Sequence, residues 1–142
     1  MKNTNKIISL ISKIRAKANR LIVKKLEENG VYDLTPSNGD ILFTLFYSKE
    51  LLTMKDIAKK VNRDKSTITS LINKLVKLGY VQKLKSDDDA RSTIIVLTKK
   101  GWELEPIFNK VSEQLISKVY SGFTAEQKEE AIDVLEKIEN NL

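Results

Sequence analysis

The chain has 142 residues, of which 41% are hydrophobic and 31% are charged, a composition typical of one soluble domain with a hydrophobic core. It contains no Cys and no His, which excludes disulfides, thiolate metal sites and thiol redox sensing and removes the commonest general base. The net charge of +6 is distributed as +4 over residues 1–52, +5 over 53–97 and −3 over 98–142. This distribution favours a polyanion-binding module joined to an acidic segment, with solvated surface charge as the alternative.

The first predicted element is a helix over residues 4–29, because apolar residues recur at alternating intervals of four and three. Gly30 is a suitable C-terminal stop for this helix. The run Ile7–Ile11 is far too short to span a bilayer, so we expect a cytoplasmic protein with no membrane partner. Binding of this basic amphipathic helix to an anionic membrane surface is a weaker alternative to helix packing. The apolar stripe consists of Ile7, Ile11, Ile14, Ala18 and Leu21.

Two capped helices follow in the sequence. Thr35, which precedes a proline, predicts the start of the second helix. Thr53 and Asp56 form a variant of the capping box at the start of a short third helix. Ala58 is small enough to let this helix approach the next one. Asn62 lies at the turn between them, where it tolerates a left-handed backbone, so the pattern predicts a helix-turn-helix.

The fourth helix, predicted over about residues 65–79, begins with several hydroxyl side chains, although Ser and Thr are poor helix formers. Such side chains bind base edges and phosphates, which is typical of a recognition helix in the major groove. Helix capping alone is the alternative explanation. The predicted DNA-reading residues are Lys65, Ser66, Thr67, Thr69, Ser70 and Lys74. The predicted phosphate contacts are Lys55, Arg63 and Lys77.

Two strand-like runs, residues 81–85 and 93–97, flank a polar tip and predict a β-hairpin. A basic helix-turn-helix followed by a hairpin is a winged helix-turn-helix, with its wing over about residues 81–97. We predict that Arg91 enters the minor groove and that Asp89 holds it through a charge-assisted pair. A solvated turn is the alternative. Three adjacent acids at 87–89 are poor evidence for a divalent metal site.

The C-terminal segment is predicted to be helical. Pro106 lies inside a long helical pattern that we expect it to kink or restart. Thr124 and Gln127 form a capping box before the last helix. Residues 1–29 carry 8 basic and 2 acidic side chains, whereas residues 124–142 carry 2 and 6. Packing the two segments across a two-fold axis would bury their stripes and pair their charges, which predicts a homodimer; packing of the first helix within its own subunit is the alternative.

The segment over residues 52–101 resembles the winged helix-turn-helix of the MarR family of bacterial transcriptional regulators, and the resemblance extends over nearly the whole chain. The most specific motifs are L-x-x-x-G-Y-V at 75–81, D-x-R-S at 89–92 and V-L-T-x-x-G at 96–101. The family's wing often reads Asp-x-Arg-Asp-x-Arg, whereas Ser86 and Asp88 occupy the first Asp and first Arg positions here.

The resemblance implies a mainly α fold with a small β-hairpin, in one MarR-type domain over residues 1–142. A winged helix-turn-helix lobe (31–97) would be joined to a helical dimerisation region (1–30 and 98–142). It also implies an obligate homodimer on a pseudo-palindromic operator in double-stranded DNA. The positions that match the family's DNA-contacting residues are Ser66, Thr67, Ser70 and Arg91.

Relatives of this kind often bind a small aromatic or lipophilic effector between the dimer helices and the DNA-binding lobe. The local side chains for such a pocket would be Phe43, Phe46, Tyr47, Trp102 and Phe108. A plain aromatic core is the alternative, because aromatic residues at helical spacing more often pack against one another than around a ligand.

We therefore expect a sequence-specific DNA-binding regulator that acts as a repressor. The alternative is a winged-helix adaptor that binds another protein and no DNA. An enzyme is disfavoured, because the sequence contains no recognisable nucleophile–base pair, phosphate loop or metal constellation. We accordingly predict no catalytic residue, no cofactor and no metal.

Overall fold

The computed structural model describes residues 1–86 and 92–142 and is mainly helical with one small antiparallel sheet. The helices are α1 (Ile7–Glu28), α2 (Pro36–Tyr47), α3 (Met54–Val61), α4 (Lys65–Lys77), α5 (Lys99–Trp102), α6 (Glu105–Val119) and α7 (Ala125–Asn141). The strands are β1 (Leu52–Thr53), β2 (Val81–Lys85) and β3 (Thr93–Leu97). The predicted fold class is confirmed, and no described helix is long and apolar enough to cross a bilayer.

The first predicted helix is divided near its start. A 3-10 turn over Thr4–Lys6 precedes α1, and the Asn3 side chain caps this turn by accepting a hydrogen bond from the N–H of Asn5 at 3.0 Å. The helix predicted over roughly residues 4–29 therefore begins as a 3-10 turn and continues as α1. Its C-terminal stop is confirmed, because Gly30 has φ +82°, a conformation that side chains disfavour.

The sheet has three strands in the order β1-β3-β2 rather than the two of the predicted hairpin. Val81 pairs with Leu97 and Lys85 with Thr93, as expected for antiparallel strands joined by a wing. β1 pairs with the other edge of β3, with Leu52 opposite Ile95. Two residues are too few to show strand periodicity, so only the folded chain reveals β1.

Pro106 restarts the helical path, as predicted. α5 ends at Trp102, and α6 begins at Glu105 with the proline in its first turn, where no intrahelical donor is needed. Leu104 and Phe108 are both buried at this junction. The N–H of Leu104 also donates to the carbonyl of Gly101 at 3.1 Å, and only the turn residues Glu103 and Leu104 separate α5 from α6.

The hydrophobic core lies where α2, α3 and α4 pack beneath the sheet. Ile41, Ile57, Ile72 and Leu75 are completely buried there. Asn38 is also buried, and its side-chain oxygen accepts hydrogen bonds from the N–H and hydroxyl of the α2 cap residue at 3.1 and 2.9 Å. This core fixes α4 relative to α2 and α3, and the opposite side of α4 is open to solvent.

Candidate nucleic-acid interface

The turn between α3 and α4 has the predicted left-handed residue. Asn62 has φ 53° and ψ 52°, and the N–H of Arg63 donates to the carbonyl of Ala58 at 3.0 Å to close α3. Ile68 is buried between the two helices, and Leu71 packs against the same core. The sequence therefore folds locally into a helix-turn-helix with α4 as its second helix.

The first turn of α4 is capped by Asp64. One carboxylate oxygen of Asp64 accepts a hydrogen bond from the N–H of Thr67 at 2.7 Å and another from the hydroxyl of Ser66 at 2.9 Å. The bond from Thr67, assisted by that from Ser66, holds the pKa of Asp64 below its ordinary value. A helix N-terminus can offer its N–H groups to phosphate, but here the carboxylate already occupies the Thr67 donor.

The predicted DNA-reading residues lie on one side of α4 with unequal exposure. Lys65, Ser66 and Ser70 are exposed, whereas Thr67, Thr69 and Lys74 are half-buried. The hydroxyl of Thr69 donates to the carbonyl of Lys65 at 2.8 Å, so its proton is used within the helix. Ser66 and Thr69 can therefore accept from a base but do not offer a free donor, whereas Ser70 is an exposed hydroxyl on the same side of the helix.

Basic side chains border this face. Lys55, Arg63 and Lys77 are exposed, and an Arg63 guanidinium nitrogen lies 3.5 Å from the hydroxyl oxygen of Ser37. Lys74 and Lys77 line a shallow groove with the segment that connects α1 and α2. Within residues 1–86 and 92–142, both ion pairs shorter than 4 Å involve α1, so these lysines remain available to an anion.

The wing supplies a further basic residue that sequence reasoning missed. Lys83 on β2 contacts the side-chain oxygen of Asn73 on α4, which links β2 to α4. Lys85 lies on the same face of β2, since side chains two apart in a strand point the same way. The signal available in the sequence was the spacing of Lys83 and Lys85, which are two residues apart in a predicted strand and so share one face. Asp89 and Arg91, the predicted wing residues, lie outside the described residues.

The five aromatic residues predicted for an effector pocket are neighbours. Phe46 and Phe108 are buried with ring centroids 5.5 Å apart, and Phe43 lies 5.6 Å from Phe108. Tyr47 stacks on Phe43 and donates a hydrogen bond to the Asn109 side chain. Trp102 rests on Phe46 but is 47% exposed and faces a different groove.

A cavity of about 100 Å³ lies beside this aromatic cluster, between α1, α2 and α6. Phe43 and Phe108 form part of its wall, and Arg15 and Asp40 form an ion pair of 3.4 Å that also borders it. The buried side-chain oxygen of Asn19 borders the cavity without a hydrogen-bond partner among the described residues. Phe46, Tyr47 and Trp102 do not line this cavity.

Comparison with known proteins identifies the family. The sequence model of the MarR family matches residues 34–93, which include the whole helix-turn-helix. The chain is 35% identical to the transcriptional regulator SarZ of Staphylococcus saprophyticus over 109 residues, 77% of this chain and 70% of that protein. The chain belongs to the MarR family of transcriptional regulators. Like the regulators it matches, this MarR-family protein is not an enzyme.

Solved structures of MarR-family proteins share the whole architecture. A MarR regulator from Methanosarcina mazei Go1 superposes with a TM-score of 0.84 at 28% identity, covering 97% of this chain and 96% of that one. The MepR–DNA complex of Staphylococcus aureus superposes with a TM-score of 0.87 at 24% identity over the full length of both chains. Among the first three curated relatives, the matched segments span 62 to 70% of their length, less than two thirds in two cases.

Proposed function

We propose that this protein is a homodimeric repressor that binds a pseudo-palindromic operator with α4 in the major groove. The observation that carries the proposal is the exposed face of α4, where Lys65, Ser66 and Ser70 project from a helix anchored by a buried apolar side. MepR, which has the same fold, was solved as a DNA complex. Small hydroxyls and lysines on a supported helix suit base and phosphate contact.

The charge of the lobe supports DNA as its partner. Residues 53–97 carry 10 basic and 5 acidic side chains. Lys55, Arg63 and Lys77 are exposed around α4, and Lys83 and Lys85 add positive charge on β2. If roughly 6–10 phosphates are neutralised per complex, affinity should fall by about 10³–10⁵ between 50 and 200 mM salt. An adaptor that binds only a protein partner would show no salt-dependent affinity for duplex DNA.

The proposed dimer rests on apolar surface that one chain leaves uncovered. Ile14 is 60% exposed and Leu135 is 47% exposed, and α7 contains no buried residue. Between α1 and α6 runs a groove of about 450 Å³ whose apolar wall includes Leu21 and Val119. Exposed faces of this extent mark an interface, and a second copy is the occupant we propose.

Charge complementarity supports that choice of occupant. The groove between α1 and α6 is bordered by four basic side chains: Lys17, Arg20, Lys24 and Lys118. The segment 124–142, which contains α7, carries 6 acidic and 2 basic side chains. Docking α7 of one protomer near this groove of its partner would pair opposite charges and bury both apolar surfaces. The proposed dimerisation region comprises residues 1–30 and 98–142, and the proposed DNA-binding lobe comprises residues 31–97.

A small aromatic or lipophilic effector is proposed for the cavity beside Phe43 and Phe108. Its volume of about 100 Å³ is below the 300–1,000 Å³ of most ligand sites, so an effector would have to open it. The cavity lies between α1 and α6 on one side and α2 on the other. A ligand that widens it would separate the dimer helices from the lobe and shift the spacing of the two α4 helices.

Binding selection from a random duplex library at near-physiological salt tests the proposed function. An enriched palindrome with half-sites about 10 base pairs apart supports a symmetric operator-binding regulator. Salt-dependent binding without enrichment would indicate a nonspecific DNA binder. Absence of binding would favour the protein adaptor. Sedimentation of the same sample distinguishes a dimer of about twice 16.2 kDa from a monomer.

A further inference from the structure

We propose that Thr98, Lys100 and Gly101 form a clamp that fixes the angle of α4 relative to α6 and thereby sets the half-site spacing that the dimer accepts. These residues belong to the V-L-T-x-x-G motif, which makes no predicted DNA contact. The claim about half-site spacing rests on the proposed function. The mechanical claim, that these residues fix the angle of α4 relative to α6, does not. We call these three residues the α5 clamp.

The α5 clamp binds the backbone where α4 ends. The ammonium of Lys100 donates to the carbonyl of Leu78 at 2.8 Å, and the hydroxyl of Thr98 donates to the carbonyl of Gly79 at 2.6 Å. The N–H of Thr98 donates to the carbonyl of Tyr80 at 3.0 Å. Leu78, Gly79 and Tyr80 directly follow α4, so three consecutive carbonyls after the helix obtain their donors from one short segment.

Lys100 adds charge to this contact. Its ammonium lies 4.8 Å from the centroid of the Tyr80 ring while it donates to Leu78. A cation at a helix C-terminus is also favoured by the helix dipole. The lysine is thus held at three features of the α4 terminus, namely a carbonyl, an aromatic face and a negative dipole end.

Gly101 brings the two segments into backbone contact. A Cβ at this position would lie 2.1 Å from the carbonyl oxygen of Tyr80 and 3.1 Å from Leu97 Cδ2. Only glycine permits this approach, because the nearest obstacle is backbone rather than the end of a flexible side chain. The Thr98 hydroxyl oxygen also accepts from the N–H of Gly101 at 3.0 Å, so one hydroxyl joins the start of α5 to the end of α4.

The contact lies at a pivot between the two proposed functional parts. α5 continues into α6 through the Leu104–Gly101 hydrogen bond, and α6 forms part of the proposed dimer region. α4 has 13 residues and is therefore about 20 Å long. Because the core holds α4 in the lobe, a rotation of the whole lobe by about 10° about this contact would move the first turn of α4 by about 3.5 Å, close to the rise of one base pair.

Distance measurements within one chain test the mechanical part without DNA. Since the sequence has no Cys, Ser70→Cys and Glu113→Cys introduce two unique labelling sites, on the outer face of α4 and on α6. Spin-labelled chains would be diluted in excess unlabelled protein, and the distance distribution measured by pulsed electron resonance. We expect Thr98→Val with Lys100→Met to broaden the distribution about twofold. Thr98→Ser with Lys100→Arg, which keeps the hydroxyl and the cation, should leave it unchanged.

Binding selection on duplexes with two half-sites and a variable spacer tests the functional part. We expect the parent protein to select one spacing and the Thr98→Val/Lys100→Met variant to bind neighbouring spacings within about threefold, with the same base preference in each half-site. An unchanged distance distribution, or an unchanged single spacing, would overturn the proposed clamp. If the distance distribution broadens but the parent protein selects no half-sites, the clamp between α4 and α6 is supported, whereas operator binding and the role in spacing are overturned.

Discussion

The carboxylate of Asp64 lies 2.7 Å from the backbone nitrogen of Thr67, so an acidic side chain caps the first turn of α4. This hydrogen bond and that from Ser66 lower the pKa of Asp64 and keep it ionised. The proposed DNA-binding tip therefore carries a fixed negative charge next to lysines. This charge repels phosphate groups. The carboxylate can instead accept hydrogen bonds from the amino groups of bases.

Replacing Asp64 with Asn should tighten binding to nonspecific duplex DNA. The amide oxygen retains the cap, since Asn and Asp are equally good N-caps, while the repulsion from phosphate is removed. Affinity measured by fluorescence anisotropy at two salt concentrations would detect the change. Asp64→Ala is the matched control, because it removes the cap as well as the charge. Weaker nonspecific binding by Asp64→Asn would contradict this account of the tip.

The two capping carboxylates predict a specific response to acid. Hydrogen bonds from Thr53 and Thr67 lower the pKa values of Asp56 and Asp64, respectively, below their ordinary value of 3.8. A lowered folded-state pKa stabilises the fold above the unfolded-state value and loses that contribution as pH falls through the folded-state value. Below about pH 4, Asp56→Asn/Asp64→Asn should therefore lose less Tm per pH unit than the parent protein. If Tm falls equally with pH in the parent protein and the double variant, these two carboxylates are not the source of the acid response.

Ser70→Ala should change base preference more than overall affinity. Ser70 is exposed on the outer face of α4, and its hydroxyl can contact a base edge. Lys55→Ala is the matched control, because a phosphate contact should weaken all sequences alike and reduce the salt slope by about one. Binding selection with both variants separates the two roles. An unaltered preference in Ser70→Ala would exclude Ser70 as a base reader.

Leu135→Glu should disrupt the proposed dimer and operator binding together. Leu135 is 47% exposed on a helix with no buried residue, so a charge there costs one folded chain little but would oppose burial against a second copy. Asp133→Ala, on the opposite side of α7 by helical periodicity, should preserve the dimer. Sedimentation and a gel shift on the same samples provide the measurement. A monomer that retains full operator affinity would refute the link between the two.

Gly101→Ala should destabilise the protein by about 1–3 kcal/mol or more, because its Cβ would overlap the Tyr80 carbonyl. Gly39→Ala is the matched control: Gly39 is in α2, and an added Cβ would lie 3.6 Å from Phe108, an ordinary contact. Alanine is the better helix former by about 1 kcal/mol, so Gly39→Ala should be neutral or stabilising. Chemical denaturation would give the free energy of unfolding of both variants. Similar losses in the two would contradict the close approach of Gly101 to the Tyr80 carbonyl.

Local signals in the sequence predicted much of the helix-turn-helix. The Thr53 cap, the left-handed Asn62 and the two wing strands depend on neighbours within a few residues, and each is confirmed. These features are determined by residues that are close together in the sequence, where propensity and capping rules apply.

The missed features depend on contacts between distant segments. β1 exists because β3, forty residues later, pairs with it. α4 ends at Lys77, two residues earlier than predicted, and Gly79 then takes φ +85° next to the carbonyls that Thr98 and Lys100 bind. The Lys83–Asn73 contact is likewise between elements. No periodicity within a single element encodes such pairings.

The absence of buried residues in α7 ties the stability of this helix to whatever covers it. A helix of 17 residues has little intrinsic stability in water, particularly when its net charge is negative and its apolar side chains face solvent. If a second copy covers α7, mass action couples the folding of this helix to assembly. Dilution would then melt the C-terminal helix before the lobe, and the number of copies in the cell would determine how much of the protein is fully folded.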